Sequence, residues 1–244
     1  MAKPERTVRA LDWRRAPAGA TIRYADSAFG LTVGLWAVDA RAVEARAVEA
    51  RAVEGALTAL KALGPGAGCL LLGDGAAELR DGSGRRLAAG AGVAWDGAGP
   101  PGLWATADAR GVFLHRAGPA PEAAACAVID AAAIGRAQLR TGALKSAAAP
   151  DAPSDRDHGL FGAQGDAVAA GLWESAPFET ALKPFSYHEL ALVLDGTAVI
   201  ETPDAPPWRF APGDAFFIAQ GARCRWRVAA PILKAYATAD EPVA

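Results

Sequence analysis

The chain has 244 residues, 52% of them hydrophobic and 21% charged, with 27 acidic side chains against 25 basic ones. This composition supplies a core and excludes disorder of the chain as a whole. Because there is no basic excess, we expect no nucleic-acid partner. No run of 18 apolar residues predicts a membrane span, and no apolar stretch follows the charged start of the chain as in a secretory signal. The three cysteines, Cys69, Cys126 and Cys224, lie far apart and predict a reduced, cytoplasmic protein.

Residues 41–55 are three copies of a pentamer, RAVEA, RAVEA and RAVEG. A step of five residues spreads Val43, Val48 and Val53 around a helix and alternates them across a strand. Neither element buries all three valines together. We therefore predict an exposed insertion in a surface loop, whose deletion leaves the fold intact.

Landmarks of the N-terminal half recur in the C-terminal half, which indicates a diverged tandem duplication. The distance from Trp36 to Gly75 is 39 residues, and that from Trp173 to Gly196 is 23. The difference is close to the 15 residues of the pentamer block, so the block is interpreted as an insertion in the first copy. The matched segments are 34–36 with 171–173, 72–75 with 194–196, 87–90 with 210–213, and 103–104 with 225–226.

Residues 119–157 are rich in alanine and end in a segment of Pro, Ser and Asp, a composition that predicts a linker with a possible short helix within 123–139. The C-terminal half then alternates short apolar runs with Gly and Pro turn signals. Such spacing predicts a β-sandwich or small barrel. The runs are 167–173, 187–194, 197–202, 215–219, 224–228 and 232–237.

Several of these residues together resemble the cupin superfamily. Gly-Leu-Trp-Glu at 171–174 is followed by Glu189, by Pro-Gly-Asp-Ala-Phe-Phe at 212–217, by Trp226 and by Lys-Ala-Tyr at 234–236. The order looks most like the bicupin branch that includes (S)-ureidoglycine aminohydrolase. The resemblance implies an all-β chain of two tandem jelly-roll barrels joined by the Ala-rich linker. It places a degenerate N-terminal barrel at 1–118, the linker at 119–157 and a C-terminal barrel at 158–244.

The family's metal is held by histidines and a glutamate, and the resemblance puts Glu189 at the carboxylate position. The first two histidine positions fall on Lys183 and Phe185, or on Leu182 and Pro184, and the last falls on Cys224. In the first copy the place of Glu189 falls near Gly68. We therefore expect no histidine-held metal, with Glu189 and Cys224 as weak candidate ligands and a divalent ion such as Mn, Zn or Ni not excluded.

Strand alternation predicts which side chains face the interior of the C-terminal barrel. The three arginines at 223, 225 and 227 cannot share a small barrel, so Cys224, Trp226 and Val228 should face inward. Glu189 has three open readings: a metal ligand, a carboxylate paired with Lys183 or Lys234, or a solvated side chain. The predicted ligand pocket comprises Lys183, Tyr187, Glu189, Cys224, Trp226, Lys234 and Tyr236.

Two functions remain open from the sequence. The first is binding of a small polar molecule in the second barrel without a histidine-held metal, where Glu189→Gln should disturb ligand binding more than the fold. The second is a metal-dependent enzyme on a small nitrogen-rich metabolite, similar to ureidoglycine aminohydrolase. In either case the expected partner is a small molecule. The apolar opposite face of the strand after Tyr187, with Leu190, Leu192 and Leu194, should cover another sheet or form a homodimer.

Overall fold

The computed structural model describes residues 6–38, 60, 62–79, 83–105, 108–119, 124–134, 140–143, 154–163 and 166–240. The pentamer block at 41–55 lies outside these residues, so the predicted insertion stays a prediction. The chain forms two units. The N-terminal unit is Leu11–Asp130, and the C-terminal unit is Ala131–Ala244 together with Met1–Ala10.

The N-terminal unit contains a six-stranded and a three-stranded antiparallel sheet, preceded by a short 3-10 turn at Trp13–Arg15. Its strands are β2 (Gly19–Asp26), β3 (Leu31–Val38), β4 (Gly66–Asp74), β5 (Ala76–Leu79), β6 (Arg86–Ala88), β7 (Gly92–Gly97), β8 (Leu103–Ala105), β9 (Ala109–Ala117) and β10 (Ala125–Ile129).

The C-terminal unit contains a seven-stranded sheet and a smaller sheet of short strands. It uses β1 (Val8–Leu11), β11 (Arg140–Ala143), β12 (Ser154–Phe161), β13 (Ala169–Ser175), β14 (Phe178–Glu179), β15 (Lys183–Pro184), β16 (His188–Asp195), β17 (Ala198–Thr202), β18 (Ala205–Phe210), β19 (Ala215–Ile218), β20 (Arg223–Val228) and β21 (Ile232–Ala239).

The large sheets of the two units repeat one strand order. It runs β10-β7-β4-β9-β3-β2 in the N-terminal unit and β1-β19-β16-β21-β13-β12-β11 in the C-terminal unit. Each unit pairs this sheet with a smaller one, as a jelly roll does. The predicted all-β fold with two tandem jelly-roll units is confirmed, and the repeated order lets residues be matched by strand register.

Matched tight turns explain why both halves carry the same Asp-Gly signal. Gly75 and Gly196 have φ of 82° and 79°, a left-handed conformation that costs glycine little. In each turn the preceding carboxylate, of Asp74 or Asp195, accepts a hydrogen bond from the glycine N–H at 2.8 Å and 2.9 Å respectively. The hairpins β4–β5 and β16–β17 therefore turn at the positions that the sequence predicts.

The predicted linker at 119–157 also contributes strands to the sheets of both units. Strand β10 completes the large sheet of the N-terminal unit, and β11 and β12 extend that of the C-terminal unit. Between them one helical turn, α1 (Ala131–Ile134), is the only α-helix with described bounds. No helix among the described residues is long and apolar enough to cross a membrane.

Alternation along the strands fills each unit's interior with apolar side chains. In the C-terminal unit Cys224, Trp226 and Val228 belong to the core cluster, as predicted. On the opposite face of the same strand, Arg225 and Arg227 form ion pairs with Glu179 and Glu201. The outer-face leucines of β16, Leu190 and Leu192, are buried.

His115 on β9 is buried, and its Nε2 has no hydrogen-bond partner among the described residues. Burial lowers the pKa of His115, and its hydrogen bond to the Gly64 backbone opposes this shift. Because the folded pKa lies below the unfolded value, the unfolded chain gains the proton first as the pH falls through about 6.5. We expect the free energy of unfolding of the N-terminal unit to fall between about pH 7 and pH 5.

His115→Leu should remove part of this pH dependence, measured as the difference in melting temperature between the two pH values. The matched control is His158→Gln in the C-terminal unit, where the side chain is not part of either core cluster. An unchanged pH dependence in His115→Leu would contradict the assignment.

Candidate functional site

The C-terminal unit contains a cavity of about 480 Å³ between its two sheets. All seven predicted ligand-pocket residues line it: Lys183, Tyr187, Glu189, Cys224, Trp226, Lys234 and Tyr236. They come from β15, β16, β20 and β21 and from the loop that leads into β16. The alternation argument predicted that these residues would share one interior, and the strand register brings them together.

A buried ion pair lies at the centre of this lining. Lys234 Nζ donates to Glu189 Oε1 at 2.5 Å, with the two side chains 6% and 2% exposed. Three environments were predicted for Glu189: a metal site, a pair with a lysine, or solvent. In the structure the carboxylate pairs with a lysine, and that lysine is Lys234. Two charges taken out of water are costly unless they are paired in this way.

Two indole rings flank the Lys234 ammonium. Its Nζ lies 4.7 Å from the ring centroid of Trp173 and 4.8 Å from that of Trp226, within the range of cation–π attraction. Phe178 and Phe185 stack on Trp226 at 6.3 Å each and extend the aromatic wall. The ammonium is therefore held by one carboxylate and two ring faces, and it borders the cavity.

A second polar group lies along β12, which pairs with β13. Asp157 accepts a hydrogen bond from Tyr236 Oη at 2.9 Å, and Asp155 accepts one from Trp173 Nε1 at 2.8 Å. Burial of the carboxylate beside Tyr236 raises the pKa of Asp157, although much of the residue is exposed. These contacts fix the phenol of Tyr236 and the indole of Trp173, whose ring faces Lys234.

Sequence analysis missed Asp155 and Asp157, because they lie in the predicted linker. A usable signal was present: Asp155, Asp157 and Gly159 alternate like a strand. Their place at the cavity depends on β12 pairing with β13, a contact between distant parts of the chain. Phe178, Thr180 and Asp240 also line the cavity and were not predicted.

Burial keeps the Cys224 thiol and the two phenols of the cavity neutral. It raises the pKa of the Cys224 thiol to about 12, and the Glu189 charge adds to the rise, while the nearby Trp226 indole and Lys183 oppose it. Burial likewise raises the pKa of Tyr187 and of Tyr236. At neutral pH the cavity therefore offers a thiol and two phenols as hydrogen-bonding groups, and no thiolate.

The residues do not fit the metal that the cupin resemblance implies. Metal ligands must be deprotonated and must converge. Cys224 is held as a thiol, and the Glu189 carboxylate is bound by an ammonium. No group of three or more His, Cys, Asp or Glu side chains suited to a metal occurs among the described residues.

The N-terminal unit has glycines where the C-terminal unit has the ion pair. Lys234 pairs with Val193 and Trp173, and by register its counterpart Gly111 pairs with Leu72 and Trp36. The same comparison matches Glu189 on β16 with Gly68 on β4.

Tryptophan rings occupy the space beside these two glycines. A Cβ added to Gly68 would come within 2.5 Å of Trp95 Cζ2, and one added to Gly111 within 2.8 Å of Trp36 Nε1. Both rings belong to the apolar core of the N-terminal unit. The same fold thus forms with an apolar centre, which indicates that the Glu189–Lys234 pair is not required to build a jelly roll.

The cysteines give a direct test of this description. Cys69 and Cys224 are buried and Cys126 is exposed, with no disulfide among the three. Burial also raises the pKa of the Cys69 thiol. Since the thiolate is the reactive form, we expect only Cys126 to react quickly with a disulfide reagent in the native protein. In urea all three thiols should react, and Cys126→Ser should abolish the fast native phase. Fast native labelling of Cys224 would contradict its neutral, buried state.

Comparisons with known proteins agree with this architecture. Residues 162–236 match the family of EutQ-like cupin domains. A crystal structure of a DUF861-family protein of unknown function from Pseudomonas syringae pv. tomato is similar, with a TM-score of 0.70 and 21% identity over 96% of this chain and 100% of that chain.

Two further solved structures share the fold. Protein Ylba from E. coli, also of the DUF861 family, has a TM-score of 0.54 at 12% identity over 100% of this chain and 95% of its own. A cupin 2 conserved barrel domain protein from Leptotrichia buccalis has a TM-score of 0.54 at 8% identity, with coverages of 92% and 89%. None of the curated proteins matches this chain. The fold is that of the cupin superfamily.

Proposed function

We propose that this cupin-fold chain is a bicupin whose C-terminal barrel binds a small polar molecule without a histidine-held metal. The observation that supports this most directly is the buried Lys234–Glu189 pair, which borders a cavity of about 480 Å³. The cavity has the size range of small-molecule sites, which are mostly apolar with a few convergent polar groups.

The comparison between the two units supports a functional origin for the pair. At the matched positions the N-terminal unit has Gly68 and Gly111, with indole rings in the space beside them. Replacing a buried ion pair by well-packed apolar groups is often neutral or stabilising, so stability alone gives no reason to keep it. Binding of a polar ligand does give such a reason.

The Trp226 indole adds a donor for that ligand. Trp226 lines the cavity, and its buried N–H has no hydrogen-bond partner within the described part of the chain beyond a weak interaction with the Cys224 thiol. A buried donor without a strong acceptor costs free energy. A ligand oxygen at this end of the cavity would satisfy it.

The test compares ligand-induced stabilisation of three proteins against a set of small polar molecules. In the wild-type chain, a ligand at a hundredfold excess over its Kd should add about 2.7 kcal/mol to the stability of the unit that binds it. We expect Glu189→Leu combined with Lys234→Met to lose this shift. The control is Val93→Ala, a core change in the N-terminal unit, which should keep it.

Treatment with the chelator EDTA distinguishes metal-free ligand binding from the alternative, a metal-dependent enzyme. If the purified protein holds stoichiometric Mn, Zn or Ni and EDTA abolishes ligand binding, the proposal is wrong, and a metal-dependent enzyme similar to ureidoglycine aminohydrolase is favoured. Binding that is equally strong in the double variant would also contradict the proposal. Glu189→Gln, which retains an oxygen to accept from Lys234, should weaken binding with less effect on folding.

A further inference from the structure

We infer that the ligand of the C-terminal cavity is a small organic cation, a protonated or quaternary amine, an inference that rests on the proposed binding function. Four carboxylates and two ammonium groups line the cavity, which leaves a formal excess of two negative charges. A cleft lined by an excess of one charge attracts ligands of the opposite charge. The carboxylates are those of Asp155, Asp157, Glu189 and Asp240, and the ammonium groups are those of Lys183 and Lys234.

Two of these carboxylates accept hydrogen bonds from neutral donors. Asp155 accepts one from the Trp173 indole at 2.8 Å. Asp157, which is exposed to solvent, accepts one from the Tyr236 phenol at 2.9 Å. A neutral donor orients a carboxylate without cancelling its charge. Both side chains can therefore act as counter-ions for a cation that enters from solvent, in charge-assisted hydrogen bonds.

The phenol of Tyr187 indicates that the potential in this part of the cavity is negative. Burial raises the pKa of Tyr187 most, and the charge of each of the four lining carboxylates raises it further. Two of the same charges, those of Asp157 and Glu189, also raise the pKa of Tyr236. A potential that opposes formation of a phenolate is one that stabilises a cation at the same place.

Aromatic rings supply the second element of an organic-cation site. The rings of Phe185 and Tyr187 pack edge to face with their centroids 4.8 Å apart, and both border the cavity. The protein's own Lys234 ammonium is already held in this cavity by one carboxylate and two indole faces. The lining thus combines negative charge with ring faces, and this combination attracts organic cations.

A buried polar group separates this cavity from a simple cluster of surface carboxylates. Trp226 is only 5% exposed and lines the cavity. Within the described part of the chain its N–H has no hydrogen-bond partner beyond a weak interaction with the Cys224 thiol. Because a buried donor of this kind costs free energy, the interior is incomplete without a further molecule.

The N-terminal unit has apolar residues at the positions that match Tyr236 and Asp157. Phe113 and Ala20 occupy them, the first inside the apolar core and the second packed against it. A jelly roll therefore forms without the phenol–carboxylate contact, which is an addition in the C-terminal unit. The match follows from strand register: Asp157 pairs with Trp173 as Ala20 pairs with Trp36, and Tyr236 pairs with Gly171 as Phe113 pairs with Gly34.

Isothermal titration of the full chain with three isosteric probes tests the charge of the ligand. At neutral pH tert-butylammonium, tert-butanol and pivalate share one apolar body and are positive, neutral and negative. All titrations use the same ionic strength, because salt screens exposed charges. We expect tert-butylammonium to bind at least about tenfold more tightly than tert-butanol, and pivalate to bind most weakly. Tetramethylammonium, which has no N–H donor, distinguishes a quaternary from a protonated amine.

Two variants test whether the carboxylates of β12 bind the probe. Asp155→Asn and Asp157→Asn each retain an oxygen that can accept the indole or phenol hydrogen bond, so both should fold. Each loses its charge and should weaken tert-butylammonium binding at least about tenfold. The matched control is Asp204→Asn, which removes one negative charge from the exposed turn between β17 and β18 of the same unit. Its affinity should equal that of the wild-type chain.

The inference is overturned if pivalate binds as tightly as tert-butylammonium, if neither ammonium probe binds, or if Asp204→Asn weakens binding as much as the two cavity variants. These outcomes differ from failure of the proposed function. If neutral or anionic molecules stabilise the wild-type chain through the cavity, the charge preference is wrong and the binding function stands. If no small molecule of any charge does so, the binding function itself fails.

Discussion

Replacing Glu189 with leucine is expected to destabilise the C-terminal unit by about 3–5 kcal/mol, because the Lys234 ammonium then stays buried without its carboxylate. The side chain of Lys234 is only 6% exposed, and its ammonium donates a hydrogen bond to Glu189 Oε1. Neither indole ring supplies a full counter-charge. The measurement is urea unfolding, fitted as separate transitions where the two units unfold apart.

The double change Glu189→Leu with Lys234→Met should recover most of that loss. Both charges are then gone, and apolar side chains of similar length fill the space beside the two tryptophan rings. The resulting double-mutant cycle isolates the coupling between the pair. A double variant as unstable as the sum of its single changes would show that the pair is not coupled.

Glu201→Gln is the matched control for these variants. Glu201 also pairs with a cation, Arg225, but this pair lies on the outer face of β17 and β20 and is partly exposed to solvent. Screening by water reduces the contribution of such an ion pair to the free energy of unfolding. We expect a much smaller loss of stability than for Glu189→Leu.

Replacing Gly111 with alanine is expected to destabilise the N-terminal unit by about 3 kcal/mol, the upper part of the range for overpacked cores. The added Cβ would overlap the carbonyl oxygen of Leu71 and approach Trp36 Nε1 to 2.8 Å. Leu71 lies on β4, which pairs with the β9 strand that contains Gly111. Because a backbone atom is in the way, a rotamer change cannot relieve the contact.

Gly118→Ala in the same unit is the control, since an added Cβ there meets no atom within 4 Å. Its melting temperature should stay close to that of the wild-type chain. If Gly111→Ala were equally well tolerated, the matched position could accept a side chain, and the absence of a lysine there would have no steric cause.

Local patterns were enough to predict much of the fold. Asp-Gly turns at 74–75 and 195–196 mark hairpins because the left-handed conformation they need is available to glycine alone at low cost. Alternation predicts that Cys224 and Trp226 face inward and Arg225 outward, since side chains of one strand change face at every residue. Both rules depend only on neighbours in the chain.

Sequence patterns were therefore sufficient to predict an all-β chain of two jelly-roll units and the residues that share the C-terminal interior. Contacts between distant strands were needed to show that Lys234, and not Lys183, pairs with Glu189, and that Asp157 and Trp173 border the same cavity. These contacts join β12, β13, β16 and β21, whose register is set by hydrogen bonds between strands far apart in the chain. A spacing along one strand specifies the face of a side chain, but the partner across the sheet depends on this register.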